Sequence, residues 1–201
     1  RGRTFIPADL AEDAPLIISI HGGGYVAGRA AFDDAKNDEL ATRFGAIVVS
    51  PEYRLAPEFP FPIPVDDCIS ALAEALERFG HERPTFILGD SAGAGLAYSM
   101  VSRLCGLGLQ MAQDEAIAAR YKRIASVIRG IILLEPCVDP TLSTPSSRFF
   151  AEWPVWTRRA AAGDWRHYFG VPLDAEVTIP LRLIEAAFPK PCAEFSEEGF
   201  P

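Results

Sequence analysis

Apolar residues along this chain fall into two alternating textures. Short unbroken runs over 15–20, 46–50, 86–88 and 127–134 show no polar alternation, which predicts strands buried on both faces. Between these runs, apolar residues recur every three or four positions. The spacing of Val65, Ile69, Leu72, Ala73, Leu76 and Phe79 predicts a helix over 65–79, with Pro64 suited to its first turn and Gly80 to its end. Leu40, Ala41 and Phe44 carry the same spacing over 33–44, where acidic residues sit early and Gly45 closes the helix. A small-residue helix over 91–104 and a polar one over 113–122 precede the last strand. Strands alternating with amphipathic helices predict a doubly wound α/β fold, a mostly parallel sheet with helices on both faces. Ligand chemistry is then expected at the carboxyl ends of the strands.

The remaining stretches are irregular. Residues 1–14 show no pattern, and the proline-rich 51–64 reads as an extended connection. Beyond Asp139 the texture turns to Pro, Ser, Thr and aromatics, with Trp153, Trp156, Trp165, Tyr168 and Phe169 close together. We read 140–178 as a partly helical excursion over the strand ends, within a single domain over 1–201. At 49% hydrophobic the chain can bury a sizeable core, and a net charge of −8 excludes an electrostatic nucleic-acid surface. Cys68, Cys105, Cys137 and Cys192 are widely spaced without a metal-ligand pattern, so buried free thiols in a reducing compartment are expected. No apolar stretch reaches the roughly 20 residues that span a bilayer. A cytoplasmic protein without membrane insertion is the expectation, although the chain begins at Arg1 rather than Met.

Chemistry concentrates in two glycine-rich segments. Gly89-Asp90-Ser91-Ala92-Gly93 follows the run 84–88 and opens a helix, the setting in which a serine is forced onto a sharp turn and its hydroxyl is lifted above the sheet. His21-Gly22-Gly23-Gly24 follows the first strand and leaves backbone N–H groups free of side-chain cover. Those donors, with the N–H of Ala92 at a helix start, suit an oxyanion formed beside Ser91. Glu58, Asp66 and Asp67 read as loop and helix-start hydrogen-bonding residues, and Asp90 reads likewise.

Three motifs in order, His21-Gly22-Gly23-Gly24-Tyr25, Tyr53-Arg54-Leu55-Ala56-Pro57-Glu58 and Gly89-Asp90-Ser91-Ala92-Gly93, resemble the hormone-sensitive-lipase branch of the α/β-hydrolases. The similarity runs from about Leu16 to Leu181 and weakens after Asp139. The resemblance implies carboxylic ester hydrolysis of a small-molecule substrate, without metal or organic cofactor. It makes Ser91 the nucleophile, the N–H groups of Gly23, Gly24 and Ala92 the oxyanion hole, and His21 and Asp90 structural supports.

The chain departs from that pattern at its later part. The expected order is Ser, then an acid, then a histidine. Of three histidines only His167 follows Ser91, between Arg166 and Tyr168 rather than after a strand. The acid is expected near 191–196, where Glu197 and Glu198 could stand in and Gly199 occupies the aspartate position. The expectation is a fold truncated at both ends and incomplete on its C-terminal side. The alternative reading is a non-catalytic small-molecule-binding module, because plant gibberellin receptors resemble this family while lacking its catalytic histidine.

Overall fold

A computed structural model describes residues 2–106, 115–149, 152, 156–173 and 179–189. The four expected strands are β2 (Leu16–Ile20), β3 (Ile47–Pro51), β4 (Thr85–Asp90) and β5 (Ile128–Leu134). A further strand, β1 (Gly2–Phe5), precedes them, and the sheet order is β1-β3-β2-β4-β5. β3, β2, β4 and β5 run parallel, with Leu16 opposite both Ile47 and Thr85. The unpatterned N-terminal stretch thus contributes an edge strand, antiparallel to β3 with Gly2 opposite Pro51. Three exposed residues and a half-buried Phe5 along one edge carry no periodic hydrophobic signal, and their pairing is set by β3 instead.

The helices are α1 (Asp34–Phe44), entered through a 3-10 turn at Ala30–Asp33, α2 (Ile63–Phe79), α3 (Ala92–Leu104), α4 (Glu115–Ala125), α5 (Pro145–Phe149), α6 (Arg158–Tyr168) and α7 (Leu181–Ala187). Gly45 closes α1 in the left-handed conformation, as its sequence position predicts. The acidic start of α1 serves a different purpose. Asp33 accepts from Lys36 Nζ at 2.9 Å, and Asp34 pairs with Arg3, which ties β1 to the helix. α2 begins two residues earlier than its periodicity predicts, so Pro64 lies at its second position. Among the described residues no helix is long and apolar enough to cross a membrane.

Leu16, Ile18, Ile20, Ile47, Leu72, Ile87, Leu96 and Met100 are fully buried between the sheet and α2 and α3. Trp165 and Tyr168 of α6, with Phe169, belong to the same apolar core. Thr157 Oγ1 caps α6 by accepting from the Ala160 N–H at 3.1 Å. The Tyr168 ring stacks on Tyr25 at 4.1 Å, and Trp165 lies 4.9 Å from the same ring. α6 is thereby packed against the residue that follows the glycine motif. Trp153, Cys192 and 190–201 lie outside the described residues, including Glu197, Glu198 and Gly199. Cys68 is buried as expected, whereas Cys137 is only partly buried and Cys105, at the solvent-facing end of α3, is exposed.

Candidate active site

β4 ends at Asp90 and α3 begins at Ala92, so Ser91 must reverse the chain alone. Its φ of 53° and ψ of −116° lie in a region that L-residues rarely adopt. Hydrogen bonds hold it there: Ser91 N–H donates to Leu134 O at 2.8 Å, and Ser91 O accepts from Ala94 N–H at 3.0 Å, Gly95 N–H at 3.2 Å and Cys137 N–H at 3.3 Å. The turn also needs the flanking glycines for space. A side chain on Gly93 would run into the carbonyl oxygens of Ile20 and His21, and one on Gly89 into the backbone of Gly93 and Ala94. The pentapeptide is therefore wedged between β2 and α3.

The glycine motif leaves β2 directly beside this turn. A Cβ on Gly22 would lie 3.2 Å from Ser91 Cβ, which places the loop in contact with the serine. Gly23 has φ of 124° and its carbonyl accepts from the N–H groups of Val26 and Ala27 at 3.2 and 2.9 Å, folding the loop over. Among the described residues no acceptor takes the N–H of Gly23, Gly24 or Ala92.

The second motif fastens this loop. Tyr53 donates its hydroxyl to His21 O at 2.9 Å and stacks its ring on the His21 imidazole at 4.2 Å. Ala56 N–H donates to Tyr25 O at 3.1 Å, and Glu52 accepts from Ala30 N–H at 3.1 Å. Arg54 turns outward to a bidentate pair with Asp67, at 2.8 and 2.9 Å. Burial alone would raise the Asp67 pKa, but the Arg54 hydrogen bonds outweigh it and hold the carboxyl below its ordinary value. Asp66 accepts from Arg103 of α3 at 2.5 Å.

His21 is 2% exposed, and its Nδ1 lies 2.8 Å from Gly22 O; a carbonyl only accepts, so Nδ1 carries the proton. Its Nε2 is buried without a partner among the described residues. Burial lowers the His21 pKa, against the opposing pull of the Gly22 carbonyl and of Glu52 and Asp33. The folded state therefore binds this proton less tightly than the unfolded chain, whose imidazole titrates near ~6.5. Its contribution to stability is complete above that value and is lost as pH falls through the lower folded-state pKa. Thermal melts are expected to show a drop in Tm between about pH 7.5 and about pH 5 that is smaller in His21→Gln, since glutamine takes up no proton.

The other candidates are distributed as follows. The Asp90 carboxylate, half-exposed, lies 3.9 Å from Lys36 Nζ of α1. His81 is exposed in the turn before β4, at the end of the sheet opposite Ser91. His167 is partly buried on α6, and no histidine bonds Ser91 Oγ among the described residues.

The structure adds Cys137, Asp164 and Trp156, which local patterns did not select for the site, and gives Tyr25 of the glycine motif a role. Ser91 Oγ lies 3.4 Å from Cys137 Sγ. Tyr25, with φ of 70°, donates its hydroxyl to Cys137 O at 2.5 Å, in space that a side chain on Gly95 would occupy. Burial raises the Cys137 pKa, partly offset by the contact with Ser91. Asp164 of α6 accepts from Trp156 Nε1 at 2.6 Å beside Gly24. Cys137 was within reach of sequence reasoning, because it follows the carboxyl end of β5, where the fold gathers its chemistry. Asp164 and Trp156 carry no comparable local signal.

The parallel sheet, the strained serine turn and the adjoining glycine loop together define an α/β-hydrolase. The sequence family described as alpha/beta hydrolase fold matches residues 17–190, and the chain belongs to it, on the hormone-sensitive-lipase-like branch. Arylacetamide deacetylase of Oryctolagus cuniculus is 30% identical over 158 residues, 75% of this chain and 36% of that protein. Hormone-sensitive lipase of Homo sapiens is 30% identical over 139 residues, 65% of this chain and 13% of that protein. A hyperthermophilic esterase from the archaeon Pyrobaculum calidifontis superimposes with a TM-score of 0.71 at 31% identity, covering 94% of this chain and 55% of its own. The chain thus spans at most about half the length of these three relatives.

Proposed function

We propose that this chain carries out carboxylic ester hydrolysis through an acyl-serine intermediate on Ser91, acting on small-molecule esters with small to medium acyl groups. The observation that carries this reading is the strained Ser91 turn, set against a glycine loop whose N–H groups have no acceptor among the described residues. In the reaction, Ser91 Oγ bonds to the ester carbonyl carbon, and the negative charge that develops on the carbonyl oxygen is taken by the N–H groups of Gly23, Gly24 and Ala92. Such donors cost nothing to reorganise, and each is typically worth about 2.7–4 kcal/mol in the transition state. The carbon–oxygen bond to the alcohol then breaks, and the alcohol leaves with the serine proton. Water later cleaves the acyl-serine bond. His21, clamped by Tyr53, holds the glycine loop in place, and Asp90 supports the turn from the α1 side.

Acylation is the step these residues serve directly. Both steps need a proton acceptor and no described histidine bonds Ser91 Oγ, but the p-nitrophenolate of an activated ester leaves without being protonated, so acylation is the easier step with such an ester and the acyl-serine is expected to accumulate. Mixing the chain with p-nitrophenyl butyrate should release a burst of about one equivalent of p-nitrophenol, followed by slower turnover. Ser91→Ala should lack the burst. A burst of the same size in Ser91→Ala would overturn the assignment of the nucleophile. A folded wild-type chain that shows neither burst nor turnover would overturn the hydrolase reading in favour of ligand binding.

A further inference from the structure

The Asp164 carboxylate is unusual in its setting. Trp165 and Tyr168 lock the register of α6, because both are fully buried against Tyr25. That register delivers the residue before Trp165 to the glycine loop. A Cβ on Gly24 would lie 2.7 Å from Asp164 Oδ2, so the carboxylate rests against the backbone of the very residue whose N–H faces the reacting carbonyl in the mechanism above. Trp156 Nε1 donates to the same oxygen at 2.6 Å and fixes the rotamer. Asp164 also acts electrostatically on Cys137, whose Sγ lies 3.4 Å from Ser91 Oγ.

A negative charge here is a burden for the reaction of a neutral ester, because it opposes the oxyanion forming on the Gly24 side. Among the described residues no lysine or arginine forms an ion pair with it. Burial raises the Asp164 pKa above the ordinary carboxylate value, and the Trp156 hydrogen bond offsets this only in part. The carboxylate is therefore incompletely compensated by the protein, and a cation brought by the substrate would complete the compensation.

We propose that Asp164 is a specificity-determining residue of the Ser91 site, whose carboxylate, held against Gly24 by Trp156, favours esters carrying a cationic group near the scissile carbonyl and rejects those carrying a carboxylate there. This inference rests on the acyl-serine reading of Ser91. A unit charge several ångströms from another at a partly exposed site changes a rate on the order of tenfold. The preferred substrate class is thus small esters with an ammonium or quaternary ammonium substituent.

The test compares burst rate constants for three p-nitrophenyl esters in mildly alkaline buffer: γ-(trimethylammonio)butyrate, its uncharged tert-butyl isostere and the glutarate monoanion. The alcohol side is covered by the meta-trimethylammonio-, meta-tert-butyl- and meta-carboxyphenyl acetates. In at least one series the wild type should acylate in the order cation, neutral, anion, with about tenfold between neighbours. Asp164→Asn should collapse that order, read as the ratio of rate constants within each series. Trp156→Phe, which keeps the charge but releases the rotamer, should narrow the order without reversing it. Bursts that are equal across both series in the wild type, or an order that persists in Asp164→Asn, would overturn the proposal while leaving the acyl-serine reading intact. Absence of a burst with every ester would instead overturn that reading, and the proposal with it.

Discussion

Gly93→Ala is expected to remove the native state under conditions in which the wild type is folded. The added methyl group would enter the carbonyl oxygens of Ile20 and His21, which belong to β2 and its exit and are held by the sheet and by Tyr53. Neither obstacle is a side chain that can rotate away, and both sit where α3 crosses the parallel core. Relief requires moving α3 off the sheet, which also uncovers Leu96 and Met100. Losses above about 4 kcal/mol arise from steric conflicts of this kind. Gly163→Ala provides the contrast. Gly163 is interior to α6 and a Cβ there meets nothing within 4 Å, so the substitution should leave Tm unchanged or raise stability by about 0.5–1 kcal/mol. Circular-dichroism melts of the two variants read the difference. A Gly93→Ala chain that melts like the wild type would mean that the serine turn is not wedged as described.

Gly23→Ala is expected to damage chemistry more than folding. Its φ of 124° is one that L side chains rarely adopt, and the methyl group would strike Ala27 O and Gly28 N within the same loop. Unlike Gly93, this residue lies in a connection whose distortion need not disturb the sheet. The loop would open and carry the Gly23 and Gly24 N–H groups away from the Ser91 carbonyl site. One misplaced donor costs about 10²–10³ in rate, and two should cost at least that. The burst rate constant with p-nitrophenyl butyrate should therefore fall at least about a hundredfold while the far-ultraviolet spectrum stays native. A variant that unfolds, or one that acylates at the wild-type rate, would contradict the role given to this loop.

How much of this was legible in the sequence depends on whether the determinant is local. The strands β2 to β4 announce themselves because both faces are buried, and α2 because its one apolar face repeats every three or four residues; β5 has the same apolar texture, but as the last strand of the sheet among the described residues it leaves Ile131, Ile132 and Leu134 exposed, against the expectation of burial on both faces. The serine turn is nearly as local: a strand, five residues and a helix announce it, although the room that Gly93 must leave is set by the Ile20 and His21 carbonyls of β2 and its exit. β1 lacked such a signal, since its four residues lie on an exposed edge and acquire structure only by pairing with β3 and through Arg3 with Asp34. The Tyr53 motif could be seen but not its purpose, because its ring and hydroxyl act on His21, thirty-two positions earlier. Cys137 and Asp164 reach the site from 46 and 140 positions away from Ser91 and Gly24 respectively, through the ends of β5 and α6. Side chains assembled by such crossovers leave no spacing rule in the chain.

The central claim is that Ser91 Oγ takes the acyl group, and the direct measurement is to locate that group. The chain is quenched in acid during the p-nitrophenyl butyrate burst, digested, and mapped by tandem mass spectrometry. The butyryl group should sit on Ser91, in the peptide containing Gly89-Asp90-Ser91-Ala92-Gly93, and be absent from Ser91→Ala. Butyrylation of Cys137 in place of Ser91, or of scattered surface lysines alone, would contradict the account.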